Sequence, residues 1–214
     1  MDVLKDTSIS AGPLAASPAA ERRRRALVEA GERLVASGGL GALTARRLAA
    51  EAGVSLGAAY HLFEDLEAIA VAVNGRTFDR LGLALRAVPR RGDTEADLIA
   101  LADAYIAFVA ANPRLWAAVF ELPIRGGARG LDGPDGARIE ALLATLDDAF
   151  VPARRGDFGA ARASARVLWG AVHGLVSLSA TGRMGAVGID DLGAAVHHLV
   201  RCHVAGLARM GEAS

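Results

Sequence analysis

Cysteine is almost absent: Cys202 stands alone among 214 residues. That excludes a disulfide framework and a cysteine-only zinc site within one chain. Aromatic residues amount to only 5%, so the 52% hydrophobic content rests on alanine, leucine and valine. Net charge is missing as well, with 24 basic side chains balancing 24 acidic ones. A protein that coats nucleic acid over its whole surface is more basic than this, so any such site must be local. Long apolar runs are also lacking. The longest, around 167–180, is interrupted by His173 and two serines and falls short of the roughly 20 apolar residues a spanning helix needs. The first twenty residues hold no continuous apolar stretch and carry Asp2, Lys5 and Asp6, a poor signal peptide. A cytoplasmic protein with no membrane partner is the expectation.

What is present points to helices. Hydrophobicity this high with no net charge excludes a disordered chain, and alanine and leucine are strong helix formers. No strand alternation and no internal repeat is visible, so the expected fold class is all-α, with about nine helices. Residues 1–17 mix Ser, Ala, Gly and Pro without period and read as a flexible arm. Ser17-Pro18 is an N-cap followed by proline at the first helical position. Leu27, Val28, Gly31, Leu34 and Val35 then mark one helical face, and Gly38-Gly39 stops it. Thr44 and Ser55 cap two short helices separated by Gly53. The remainder reads as longer helices, broken at Pro89, at Asn112-Pro113, by a glycine-rich loop from Gly126 to Gly136, and at Pro152. The last helix, from about Asp190 to Met210, carries Leu192, Val196, Leu199, His203 and Leu207 on one stripe. Left exposed, that apolar face would be costly, and it is expected to pair with a second copy of the chain.

The informative segment is LTARRLAAEAGVSLGAAYHLFEDLE, Leu43 to Glu67. Two short helices joined at Gly53, with Val54 beneath, have the proportions of a helix-turn-helix. The second presents Ser55, Leu56, Gly57, Tyr60 and His61 outward. A short helix fits a major groove of about 12 Å, and a glycine at its start lets backbones approach. The segment resembles the DNA-binding signature of the tetracycline-repressor (TetR) family. Leu43, Thr44, Leu48, Ala49, Ala52, Gly53, Val54, Ser55, Gly57, Tyr60, Phe63 and Glu67 match that signature in register. The resemblance implies a three-helix DNA-binding domain over 18–64 and a ligand-binding and dimerisation domain over 65–214. It assigns DNA contacts to Arg24, Arg25, Thr44, Arg46, Ser55, Leu56, Gly57, Tyr60 and His61. It also implies a homodimer on a double-stranded operator, most often a repressor released by a small hydrophobic effector.

Two departures stand against the family pattern. Leu66 occupies the position of a phosphate-binding lysine, with Glu64 and Asp65 alongside. Residues 1–67 hold seven arginines and Lys5 against nine acids, a sum of −1. A second reading therefore stays open, a helical interaction or sensor protein that has lost tight DNA binding. In the C-terminal part, Trp169, His173 and Gly174 resemble a Trp-His-Gly branch of the family. Tyr105, Phe108, Trp116, Phe120, Trp169 and His173 are the candidate ligand-binding residues, because an effector pocket needs apolar walls with few polar handles. His197, His198, Cys202 and His203 are the only cluster of metal-ligand types, but no fourth ligand is supplied and no metal site is expected. No nucleophile-base-orienter set and no phosphate-cradling loop is visible, so neither an enzyme nor a cofactor is implied.

Overall fold

The structure, a computed structural model, describes residues 17–63, 65–121, 134–152 and 157–212. The expected arm, apart from Ser17, and the glycine-rich stretch before Pro134 lie outside these. Among the described residues there are nine α-helices and no strand. They are α1 (Pro18–Gly38), α2 (Ala45–Ala52), α3 (Leu56–Leu62), α4 (Leu66–Arg86), α5 (Thr94–Ala111), α6 (Pro113–Glu121), α7 (Pro134–Phe150), α8 (Phe158–Ala180) and α9 (Leu192–Glu212). Short 3-10 turns at Leu40–Ala42 and Met184–Val187 were not legible in the sequence. The helix ends follow local chemistry. Ser17 accepts from the Ala20 amide at 3.2 Å, with proline at the first helical position. Gly39 leaves α1 at φ 71, and Gly53 leaves α2 at φ 65, conformations that favour glycine.

Two apolar cores result. The first packs α1 to α3 with the start of α4, around Leu27, Leu34, Val35, Leu48, Ala59, Phe63, Ile69 and Val73. Gly31 permits that closeness, since a Cβ there would lie 3.0 Å from Ile69 Cγ2. The second packs α4, α5, α7, α8 and α9 around Leu81, Leu85, Leu101, Tyr105, Phe150, Val172 and Val196. Two helices serve both. Helix α4 gives Ile69 and Val73 to one core and Leu81 and Leu85 to the other. Helix α6 gives Leu115 and Ala118 to the first and Trp116 to the second.

The stripe expected to face a second copy does something else. Val196 is fully buried, and Leu192, Leu199 and Leu207 pack on the chain's own second core. Much of their apolar period is spent on burial within the chain, where α9 packs against α5 and α8. Outward on α9 are Ala194, His198, Arg201, Cys202 and Ala205 among others, and on α8 Arg162, Val167, Gly170, Ala171 and Gly174 among others. Among the described residues no single helix is long and apolar enough to cross a membrane.

Candidate functional site

Helices α2 and α3 form a compact unit whose loops are closed by side-chain caps. Thr44 accepts from the Arg47 amide at 3.4 Å, and Ser55 from the Ala58 amide at 3.2 Å. After Gly53 the Val54 amide reaches back to the Ala49 carbonyl at 3.0 Å, which fixes the turn between the helices. Helix α3 then buries Ala59 and turns Leu56 and Tyr60 outward, 45% and 58% exposed and one helical turn apart. His61 is exposed beside them. Gly57 lies on the same exposed surface, and a Cβ there would meet nothing within 4 Å. The fold itself makes no demand for glycine at that position.

The arginines divide. Arg25 and Arg46 are exposed, and neither pairs with a carboxylate among the described residues. Arg24, expected at the DNA backbone, is engaged in the fold. Its guanidinium donates to the Leu62 carbonyl at 3.0 Å and lies 4.2 Å over the Phe63 ring, closing the end of α3. The acidic start of α4 also has a local role. Asp65 caps the helix, accepting from the Ala68 amide at 2.7 Å, where the helix dipole favours negative charge. Leu66 is partly buried against the first core.

All six candidate ligand residues meet in one ring cluster. Tyr105 packs against Trp116 and Trp169 at 5.4 and 4.9 Å, and Trp116 against Phe108 and Phe120 at 6.4 and 5.3 Å. His173 stacks parallel to Trp169 at 6.0 Å and lies 5.0 Å from Phe120. Tyr105 is 1% exposed, and its hydroxyl is 2.8 Å from His173 Nδ1. Ser177, one turn further along α8, brings its hydroxyl 3.3 Å from His173 Nε2. Burial pushes the Tyr105 phenol far above its usual range, opposed in part by the nearby Trp116 N–H. That N–H nevertheless has no hydrogen-bond partner among the described residues. Burial also lowers the His173 pKa and so favours the neutral imidazole. Only Tyr105 and Trp169 of the six line the adjoining apolar cavity, which they share with leucines of α4, α5 and α7. Its volume is about 20 Å³, against ~300–1,000 Å³ for pockets that enclose drug-sized ligands.

Polar side chains join this cluster to α1 and α4. Asn112, at the 92° corner between α5 and α6, donates to the Phe108 carbonyl at 2.8 Å and accepts from Arg80 at 3.5 Å. Arg80 bonds Glu32 of α1, which also accepts from Arg76 at 2.8 Å. Asn74 of α4 donates to the Ala118 carbonyl of α6 at 3.2 Å. Ser177, Asn112 and Glu32 escaped the sequence reading. Only Ser177 carried a signal, its one-turn spacing from His173. The His/Cys cluster divides three ways. His197 bonds Asp103 at 2.7 Å, His198 lies 3.5 Å from Cys202, and His203 packs on Phe150.

Two family descriptions match the chain. "Bacterial regulatory proteins, tetR family" covers residues 27–73, and "Tetracyclin repressor-like, C-terminal domain" covers residues 98–203. The second span includes the whole ring cluster. No curated protein matches. Among solved structures, a protein of unknown function from Rhodococcus sp. RHA1 is 26% identical, with a TM-score of 0.65 over 87% of this chain and 94% of that one. A tetR-family transcriptional regulator from Streptomyces coelicolor is 18% identical, with a TM-score of 0.63 over 90% and 89%. FadR from Bacillus subtilis in complex with stearoyl-CoA is 17% identical, with a TM-score of 0.54 over 85% and 98%.

Proposed function

The chain belongs to the tetR family of bacterial regulatory proteins, and on that premise we propose that it is a homodimeric, cytoplasmic repressor released from a palindromic operator by a hydrophobic effector. The observation that carries the DNA-binding part is the outward surface of α3. Leu56, Gly57, Tyr60 and His61 are exposed together, with open space at Gly57 that folding does not require. An apolar-aromatic ridge with a glycine gap suits close approach to a groove, where Tyr60 can meet a phosphate and Leu56 a thymine methyl. Arg25 and Arg46 supply the local positive charge that the whole chain lacks.

In this reading the ring cluster senses the effector and α6 carries the signal. A ligand that moves Trp116 or Phe120 displaces the same short helix that places Leu115 and Ala118 in the first core. Helix α4 and the Glu32–Arg80–Asn112 links supply a second connection. A ligand shifts operator affinity only if it favours one spacing of the two α3 helices over another. The apolar effector proposed here has a parallel in the stearoyl-CoA held by the FadR neighbour. The two copies would meet through the small-residue outer faces of α8 and α9.

The test is binding of the full chain to labelled duplexes flanking its own gene at about 150 mM salt, a concentration that largely screens non-specific attraction. Saturable binding to one fragment, lost in Tyr60→Ala, is expected. Equal affinity for every fragment would favour the interaction-protein reading instead.

A further inference from the structure

We infer that the sensing cluster recognises a neutral carbonyl oxygen: the effector displaces Phe120 from the face of His173 and accepts a hydrogen bond from His173 Nε2–H, beside the Ser177 hydroxyl. This rests on reading the ring cluster as the sensing site.

The direction of the hydrogen bonds follows from burial. The Tyr105 hydroxyl is enclosed and must place its proton on an acceptor, because an unsatisfied buried donor costs about 1–3 kcal/mol. Among the described residues its side-chain acceptor is His173 Nδ1, at 2.8 Å. Nδ1 is therefore unprotonated, and the neutral imidazole carries its hydrogen on Nε2. Among the described residues that N–H meets the Ser177 oxygen, at a long 3.3 Å, so it remains available to a better acceptor. Trp116 Nε1–H is a second buried donor that makes no hydrogen bond of good geometry among the described residues. The polar hydrogens left over in this cluster all want an acceptor.

Charge narrows the ligand class further. The rings that surround His173 belong to Tyr105, Trp116, Phe120 and Trp169, and no ion pair reaches it among the described residues. An ammonium would find no carboxylate there. A carboxylate would leave water without a cation to receive it, an effective penalty of several kcal/mol per ion. A ketone, ester, amide or thioester carbonyl meets the donors without that cost. Phe120 is the natural cover. It is 54% exposed although it packs on His173, so swinging it aside forfeits little buried area.

Trp116 and Trp169 are the chain's two tryptophans, and both lie in the cluster, so intrinsic fluorescence reports on the site directly. The experiment titrates the full chain with benzylacetone, hydrocinnamate and phenylpropylammonium, which share a phenylethyl skeleton and differ in head group. The ketone should bind at least about tenfold more tightly than either ion, whose desolvation nothing in the cluster offsets. His173→Leu should weaken ketone binding by about tenfold, the loss of roughly one hydrogen bond, and His173→Gln, which keeps an N–H near the Nε2 position, should restore it. Equal or tighter binding of the carboxylate or the ammonium overturns the carbonyl inference but leaves the sensing site in place. Absence of any fluorescence change with all three overturns the sensing site itself. The head-group comparison in the unaltered protein decides the matter even where a variant fails to fold.

Discussion

Gly57 and Tyr60 separate folding from recognition at single positions. Gly57→Leu adds a side chain into open space and replaces a poor helix former, so unfolding in urea should show unchanged stability or a gain of up to about 1 kcal/mol. The same variant should lose specific DNA binding, because the added side chain fills the gap at the groove. Tyr60→Ala should change stability by no more than about 0.5 kcal/mol, as expected for an exposed position, while removing specific binding in fluorescence anisotropy. His173 gives a pH dependence whose sign is fixed. Its folded pKa lies below the ordinary 6.5, so between those two values the unfolded chain binds more protons than the native one. The stability contributed by the neutral imidazole is complete above pH 6.5 and is lost as pH falls through the lower folded value. Urea unfolding from pH 7 to pH 5 should show that loss, and it should diminish in His173→Gln. A profile identical in both proteins would mean the imidazole is not held neutral by its surroundings. Residues of this kind were readable in the sequence because their chemistry is local. Ser17, Thr44 and Ser55 announced caps, Gly39 and Gly53 announced stops, and the α3 signature carried its own spacing. Arg24 was not readable, because its partners at Leu62 and Phe63 are 38 and 39 positions away, as the residue numbers show.

At the level of elements, periodicity tells which face is buried but not against what. The α9 stripe illustrates this: Val196 is buried and Leu192, Leu199 and Leu207 are partly buried, all packed on the core of the same chain. Helix α6 is a harder case. Its nine residues are apolar on more than one side, and only the packed structure assigns Leu115 and Ala118 to one core and Trp116 to the other. The start of α4 bears a direct test. Leu66→Lys places a cation where family members carry one, and it should steepen the log–log salt dependence of DNA binding by about one unit. Because Leu66 is partly buried, the variant should also lose some stability. An unchanged salt slope would mean that the start of α4 does not face the phosphate backbone.

For the whole molecule, a balanced charge of 24 against 24 leaves DNA affinity to a few local cations, so the log–log salt slope should be shallow, about one unit for each phosphate contact. In the proposed dimer, a second copy of α3 adds contacts that one short helix cannot make. The outer faces of α8 and α9 carry Gly170, Ala171, Gly174, Ala194 and Ala205, small residues that allow helices to approach closely, beside the larger Val167, His198, Arg201 and Cys202. Light scattering at micromolar concentration should give twice 22.0 kDa. Gly170→Arg, which projects a charged side chain from that face into open space, should give the single mass and lose cooperative operator binding. A dimer that survives this change would place the interface elsewhere.

If two copies of α3 read a symmetric DNA site, the full chain offered a random library of duplexes should enrich one inverted repeat, its half-sites separated by about one helical turn of 10–10.5 bp or a multiple of it. Tyr60→Ala should enrich nothing. Recovery of no common sequence, or of the same sequences by Tyr60→Ala, would mean that α3 does not read the site.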